Sequence, residues 1–236
     1  MVKWRIPALL AMSLLVGCVT VDGSKTNVQK DPIAIAESRI ELGLGYMQQG
    51  DYARAKQNFE KAIEHAPKYY RTGLTLAYYY ETVGDIKAAR KAYERASNAH
   101  PNNGTILNNY GTFLCKQGDY YHADRYFNQA IKQPHYYQVS ASYENAGLCA
   151  LKANDVKRAE NYFIKALDHQ PLRPNATIQL AAIEVKNNQL KDARLRLLAF
   201  NHRYGYQKPS LRVLVDLESK AGNRAMVEKY QSLLSQ

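Results

Sequence analysis

Small, bulky and turn-forming residues recur along most of the chain with one period. The dipeptides Gly50-Asp51, Gly84-Asp85, Gly118-Asp119, Asn154-Asp155, Asn188-Gln189 and Gly222-Asn223 are separated by 34, 34, 36, 34 and 34 residues. Repetition at this interval marks supersecondary units that bury their apolar faces against one another rather than each in its own core. With the dipeptides as a ruler, the chain divides into blocks 36–69, 70–103, 104–137, 140–173, 174–207 and 208–236, the sixth shorter than the rest.

Within a block the eighth residue is small (Gly43, Ala77, Gly111, Gly147, Ala181), the twentieth is Ala55, Ala89, Ala123, Ala159 or Ala193, and the twenty-fourth is bulky (Phe59, Tyr93, Phe127, Phe163, Leu197). Small residues at two fixed places let two antiparallel helices approach closely. A glycine inside a helix costs about 1 kcal/mol against alanine, so three at one register require a packing reason. Pro67, Pro101 and Pro171 end three of the second helices, because the residue before proline disfavours the α region. Asp51, Asp85, Asp119 and Asp155 stand where a short carboxylate accepts backbone N–H groups at a helix start. Each block is therefore predicted to be helix, short turn, helix, and the class is all-α. Two additional residues near Gln138 and Val139 lengthen one turn between blocks.

This pattern resembles the tetratricopeptide repeat (TPR), and the likeness covers residues 36–236 as a single domain. The resemblance implies a right-handed superhelix, an α-solenoid of six helix-turn-helix repeats. Phe200 stands where that family has alanine, and Val215, Val227 and Gln231 depart at small or aromatic positions, as terminal repeats commonly do. By the same resemblance, positions two, five, nine, twelve and thirteen of each block face a groove lined by the first helices. In blocks one and two these include Ile40, Leu44, Met47, Leu74 and Tyr78, beside Glu37, Gln48, Arg71, Glu81 and Thr82. Apolar groups facing water mark a surface covered by a partner. The alternatives are that the five pack on the chain's own N-terminal segment or form inter-repeat core.

The N-terminus addresses the compartment. Lys3 and Arg5 precede an eleven-residue apolar run, Ile6–Val16, and Leu15-Val16-Gly17-Cys18 follows the form of a lipobox. Such a run rises about 16 Å as a helix, half the thickness of bilayer hydrocarbon. Residues 1–17 are thus expected to be a lipoprotein signal peptide, and 18–35 a lipidated Cys18 followed by a polar tether. Acyl chains at about 0.8 kcal/mol per buried methylene anchor permanently. Val19 after the cysteine, by resemblance to proteobacterial lipoproteins, implies the periplasmic face of the outer membrane.

Composition then narrows the chemistry. Lys and Arg number 32 against 21 Asp and Glu, which ordinarily raises nucleic acid as a partner, but export removes it. Residues 171–236 carry 11 of the basic and 5 of the acidic groups, a face for anionic lipid, for an acidic partner, or simply for solvent. Cys115 and Cys149 fall on the first helices of adjacent blocks; they join if their Cα atoms lie within about 7 Å in an oxidising compartment, and otherwise remain buried thiols. His65, His100, His135 and His169 recur a block apart, too far to share a metal. No catalytic motif, metal-ligand set or phosphate loop occurs, so neither an enzyme, a cofactor beyond the covalent lipid on Cys18, nor a small-molecule substrate is expected.

Glu41-Leu-Gly-Leu-Gly-Tyr-Met, Gly50-Asp-Tyr-Ala-Arg-Ala, Asn108-Asn-Tyr-Gly-Thr-Phe-Leu-Cys and Tyr143-Glu-Asn-Ala-Gly-Leu-Cys, together with the lipobox, resemble the PilF/PilW family of type IV pilus biogenesis lipoproteins. The first two segments are generic for the repeat, whereas the two with cysteines are more specific. The resemblance implies a pilotin that binds the pilus secretin subunit and promotes its outer-membrane localisation and multimerisation, supporting pilus biogenesis and twitching motility. Repeat lipoproteins of β-barrel assembly and activators of peptidoglycan synthesis share the same architecture.

Overall fold

The computed structural model describes residues 31–235; the signal peptide, Cys18 and the tether as far as residue 30 lie outside the described residues, while residues 32–35, expected to belong to the tether, form the first turn of a helix. Within them the chain forms twelve α-helices in six pairs: α1 (Pro32–Gln48) with α2 (Tyr52–His65), α3 (Tyr70–Thr82) with α4 (Ile86–Ala99), α5 (Gly104–Lys116) with α6 (Tyr120–Ile131), α7 (Val139–Lys152) with α8 (Val156–His169), α9 (Pro174–Lys186) with α10 (Leu190–Tyr204), and α11 (Lys208–Lys220) with α12 (Arg224–Leu234).

The six markers found in the sequence are six copies of one turn. Gly50, Gly84, Gly118 and Gly222 have φ between 73° and 81°, and Asn154 and Asn188 adopt φ of 60° and 64°. At each, the amide three residues past the helix end bonds back to the carbonyl five residues earlier, as in Asp51 N–H to Tyr46 O at 2.9 Å and Asp155 N–H to Ala150 O at 2.9 Å. This closure satisfies carbonyls that a helix end otherwise leaves orphaned, and it needs a left-handed residue, which glycine and asparagine supply most cheaply. The four aspartates then cap the second helices, Asp51 accepting from Arg54 N–H at 3.0 Å and Asp85 from Ala88 N–H at 2.9 Å.

Close approach within a pair is set by size matching. A Cβ placed on Gly43 would lie 2.4 Å from the Phe59 ring, one on Gly147 2.6 Å from Phe163, and one on Gly111 2.9 Å from Phe127. In the two blocks with alanine at this register, the facing residue is Tyr93 or Leu197 rather than phenylalanine. The bulky twenty-fourth residue therefore sits on its own pair's small residue, and it also reaches the next pair, as Phe59 does edge-on to Tyr79 with 6.0 Å between ring centres.

Consecutive first helices approach one another closely all along the stack, α1 to α3 and onward to α11, whereas among the described residues the second helices are spaced more widely, α6 and α8 meeting through long side chains, with Tyr162 donating to Asp124 at 2.7 Å and Arg158 3.6 Å from the same carboxylate. A stack held closer on one side curves toward it, so the first helices form the inner face. The longer turn expected between blocks three and four is present: α6 stops at Ile131 and α7 begins at Val139. Its Tyr136 lies against Gly104, where a Cβ would come within 2.4 Å of the ring, and its hydroxyl is 2.9 Å from Ser142 Oγ. At the C-terminal end Phe200, Leu211, Leu214, Leu217 and Tyr230 make a separate core. Tyr230 takes the interior place that the repeat pattern assigns to Gln231, which is exposed.

The size matching generates a paired prediction. Gly147→Ala overpacks against Phe163 and should destabilise by about 1–3 kcal/mol despite its better helix propensity, whereas Gly45→Ala, with nothing within 4 Å of the new Cβ, should be neutral or stabilising by up to about 1 kcal/mol. Denaturant unfolding of both variants measures the difference; equal effects would refute the packing explanation.

Candidate binding groove

At 100° per residue, positions two, nine and thirteen of a first helix share one sector, while five and twelve lie roughly 60° away. The structure separates these two sets. Position nine carries Leu44, Tyr78, Thr112, Leu148, Ala182 and Asp216, all half-buried or exposed, and position thirteen is exposed in every block. Position five is buried at Ile40, Asn108, Glu144 and Ile178, half-buried at Leu74 and exposed at Arg212; position twelve is buried at Met47, Cys115 and Val185, half-buried at Glu81 and Leu151 and exposed at Ser219, so the separation holds in the body of the stack and lapses in the last block.

The expectation that Ile40 and Met47 line an open groove is therefore corrected. Ile40 is wholly buried among Ala36, Ala62 and Ala66, whose small side chains leave the room it fills. Met47 packs with Ala55, Phe59 and Tyr79, between the first and second pairs. Leu44 is half-buried and bridges these two clusters, Leu74 is half-buried against the main core, and Tyr78 is 48% exposed. Only Leu44, Leu74 and Tyr78 of the five thus offer surface to a partner.

Polar contacts fix the spacing of the first helices beneath this surface. Glu37 accepts from both Tyr69 and Arg71, tying α1 to α3. Glu81 accepts from Tyr93 at 2.8 Å and pairs with Lys116 at 2.7 Å, tying α3 to α4 and α5. Burial, and then the adjacent Glu81 carboxylate, holds the Tyr93 phenol far above its ordinary value, so it remains the donor. Buried Glu144 accepts from Ala176 N–H at 2.9 Å and lies 3.2 Å from Arg173, holding the start of α9 against α7. These carboxylates are positioning groups engaged with protein donors; none is free to act on a substrate.

Cys115 on α5 and Cys149 on α7 are joined, with Cα atoms 5.8 Å apart. Their bond lies under a hollow of about 350 Å³ floored by Leu148 and Leu151. A second hollow, of about 520 Å³, lies between α9 and α11 over Ala182, Val185 and Val213. The sequence reading stopped at blocks one and two; carrying the same positions into blocks four and five would have found Leu148, Leu151, Ala182 and Val185. Among the described residues no group of His, Cys, Asp and Glu could hold a metal, and no helix is long and apolar enough to cross a membrane.

Paired helices with an inner face of exposed apolar and polar side chains, and no reactive constellation among them, define a tetratricopeptide-repeat protein of the kind that binds other polypeptides. Tetratricopeptide repeat models match residues 46–105 and 144–201. The type IV pilus assembly protein PilF of Pseudomonas aeruginosa is 31% identical over 194 residues, which are 82% of this chain and 77% of that protein. An uncharacterized protein of Haemophilus influenzae is 36% identical over 149 residues, 63% of this chain and 81% of its own. The solved structure of Pseudomonas aeruginosa PilF superimposes with a TM-score of 0.77 at 29% identity, covering 87% of this chain and 92% of that one. That of PilW, described as a widely conserved type IV pilus biogenesis factor, gives 0.73 at 27% identity, covering 85% and 92%. The chain belongs to the PilF/PilW family of tetratricopeptide-repeat type IV pilus proteins.

The disulfide closes a loop of 34 residues, for which loss of unfolded-state entropy corresponds to about 4 kcal/mol. Under non-reducing conditions both thiols should resist alkylation even in denaturant, and reduction should lower the melting temperature. Two alkylatable thiols in the unreduced protein would contradict the bond.

Proposed function

We propose that this protein is a pilotin: a lipoprotein held by acyl chains on Cys18 at the periplasmic face of the outer membrane, which binds the type IV pilus secretin subunit and promotes its localisation and multimerisation there. The observation that carries the reading is the extent of similarity to PilF, a type IV pilus assembly protein, over four fifths of the chain. The lipobox supports the address. The fold supports binding without catalysis, since the inner face offers apolar surface and its buried carboxylates are engaged in structural contacts. Pilus extension and twitching motility would follow from secretin assembly.

In this mechanism the lipid brings the groove to the membrane where the ring must form. The half-open apolar group of Leu44, Leu74 and Tyr78 then takes a secretin segment. Burial of apolar area stabilises such a contact by about 25 cal/mol per Å² before ordering costs are subtracted. Tyr78 is the informative position, because it is exposed and its loss opens no cavity.

Tyr78→Glu should leave the helical content and melting temperature unchanged and reduce heat-resistant secretin multimers several-fold in cells. Cys18→Ser should give a folded, soluble protein with multimers misplaced or absent. Normal multimers in both variants would overturn the reading.

A further inference from the structure

The last residue of each first helix in the second part of the stack is a lysine: Lys116 ends α5, Lys152 α7, Lys186 α9 and Lys220 α11. The corresponding residues of α1 and α3 are Gln48 and Thr82. All four lysines occupy position thirteen, in the open sector of the groove. They flank the two apolar hollows in pairs, Lys116 and Lys152 beside the one floored by Leu148 and Leu151, Lys186 and Lys220 beside the one floored by Val185 and Val213.

A cation at a helix C-terminus is favoured by the helix dipole, and this accounts for part of the pattern. Lys220 donates to Val185 O at 2.8 Å and Lys186 O at 3.1 Å, and Lys116 pairs with Glu81. The two central lysines differ: Lys152 and Lys186 are exposed and have no hydrogen-bond or ion-pair partner among the described residues. Asp216 is the one carboxylate beside the hollows, so the cations predominate.

We infer that α5 to α11 form a second docking groove, whose occupant is an extended polypeptide segment of a partner protein carrying carboxylates along one edge and apolar side chains along the other. Charge complementarity selects the carboxylates, and the hollows select the apolar groups. Neighbouring helix axes lie about 8–10 Å apart, and a chain in the extended polyproline II conformation advances about 3.1 Å per residue with three residues per turn, so carboxylates three residues apart share one edge and meet successive lysines. The carboxylates are those of Asp and Glu side chains, since a chain terminus supplies one and cannot meet successive lysines. This goes beyond the secretin reading, which rests on α1 and α3, and it stands or falls independently of it.

The test is selection of random dodecapeptides displayed on phage against the full-length lipidated protein, in parallel libraries with internal and with free C-terminal presentation. Expected is enrichment, in both libraries, of sequences with acidic residues about three apart and apolar residues between them; enrichment only in the C-terminal library would assign binding to the chain terminus and overturn the proposal. By fluorescence anisotropy the selected peptide should bind about tenfold more weakly to Lys152→Ala/Lys186→Ala, and more weakly at high salt, while the melting temperature of the variant is unchanged. No enrichment, enrichment without acidic residues, or equal affinity for the double variant would overturn the proposal. So would loss of sedimentation with phosphatidylglycerol vesicles in the double variant without any peptide selection, which would make the row a lipid contact.

Discussion

Everything in this fold depends on how closely the two helices of a pair approach. Phe59, Phe127 and Phe163 each lie on a glycine of the partner helix at a distance that admits no Cβ. That contact brings the pair together, and the same ring extends to the next pair, so intra-pair and inter-pair packing share one set of side chains. The stack is consequently continuous, with one core running from Ala77 to Ile183. Because each unit contacts its neighbours alone, stability is the sum of such joints and no block holds itself up.

The groove is a consequence of this geometry. First helices lie close along the inner side and second helices are spaced more widely on the outer side, which presents a row of homologous positions to whatever lies within. Much of the packing falls to positions five and twelve, with Ile40 filling the first pair and Met47, Asn108, Glu144 and Val185 lying between neighbouring first helices, which leaves the open sector more room to vary. In blocks one and two the remaining sector sets Leu44 and Tyr78 among Glu37, Gln48, Arg71 and Thr82, whereas in each of blocks three to six it ends on a lysine. One scaffold thereby offers two chemically distinct stretches to polypeptide partners.

The repeat, its boundaries and its turns were legible in the sequence because each rests on local chemistry. Left-handed Gly or Asn, a capping Asp, and paired small and bulky residues leave marks at fixed spacing that no tertiary contact overrides. The binding surface was less legible. Ile40 and Met47 occupy the same register as groove residues, and only the small alanines around Ile40, Ala36 on its own helix with Ala62 of α2 and Ala66 just beyond it, show that it is enclosed. The buried role of Glu144 was hidden for a similar reason, since the amide it caps lies in the following block. Tyr230 was hidden by the truncated sixth block, where a one-residue shift of the aromatic moves the interior position.

The central claim is that the inner face of the stack holds another polypeptide. Hydrogen–deuterium exchange of the full-length protein with and without purified secretin subunits tests it most directly. The account predicts added protection confined to the first helices, α1, α3 and onward, with α4, α6, α8 and α10 unchanged. Protection on the second helices instead would contradict it.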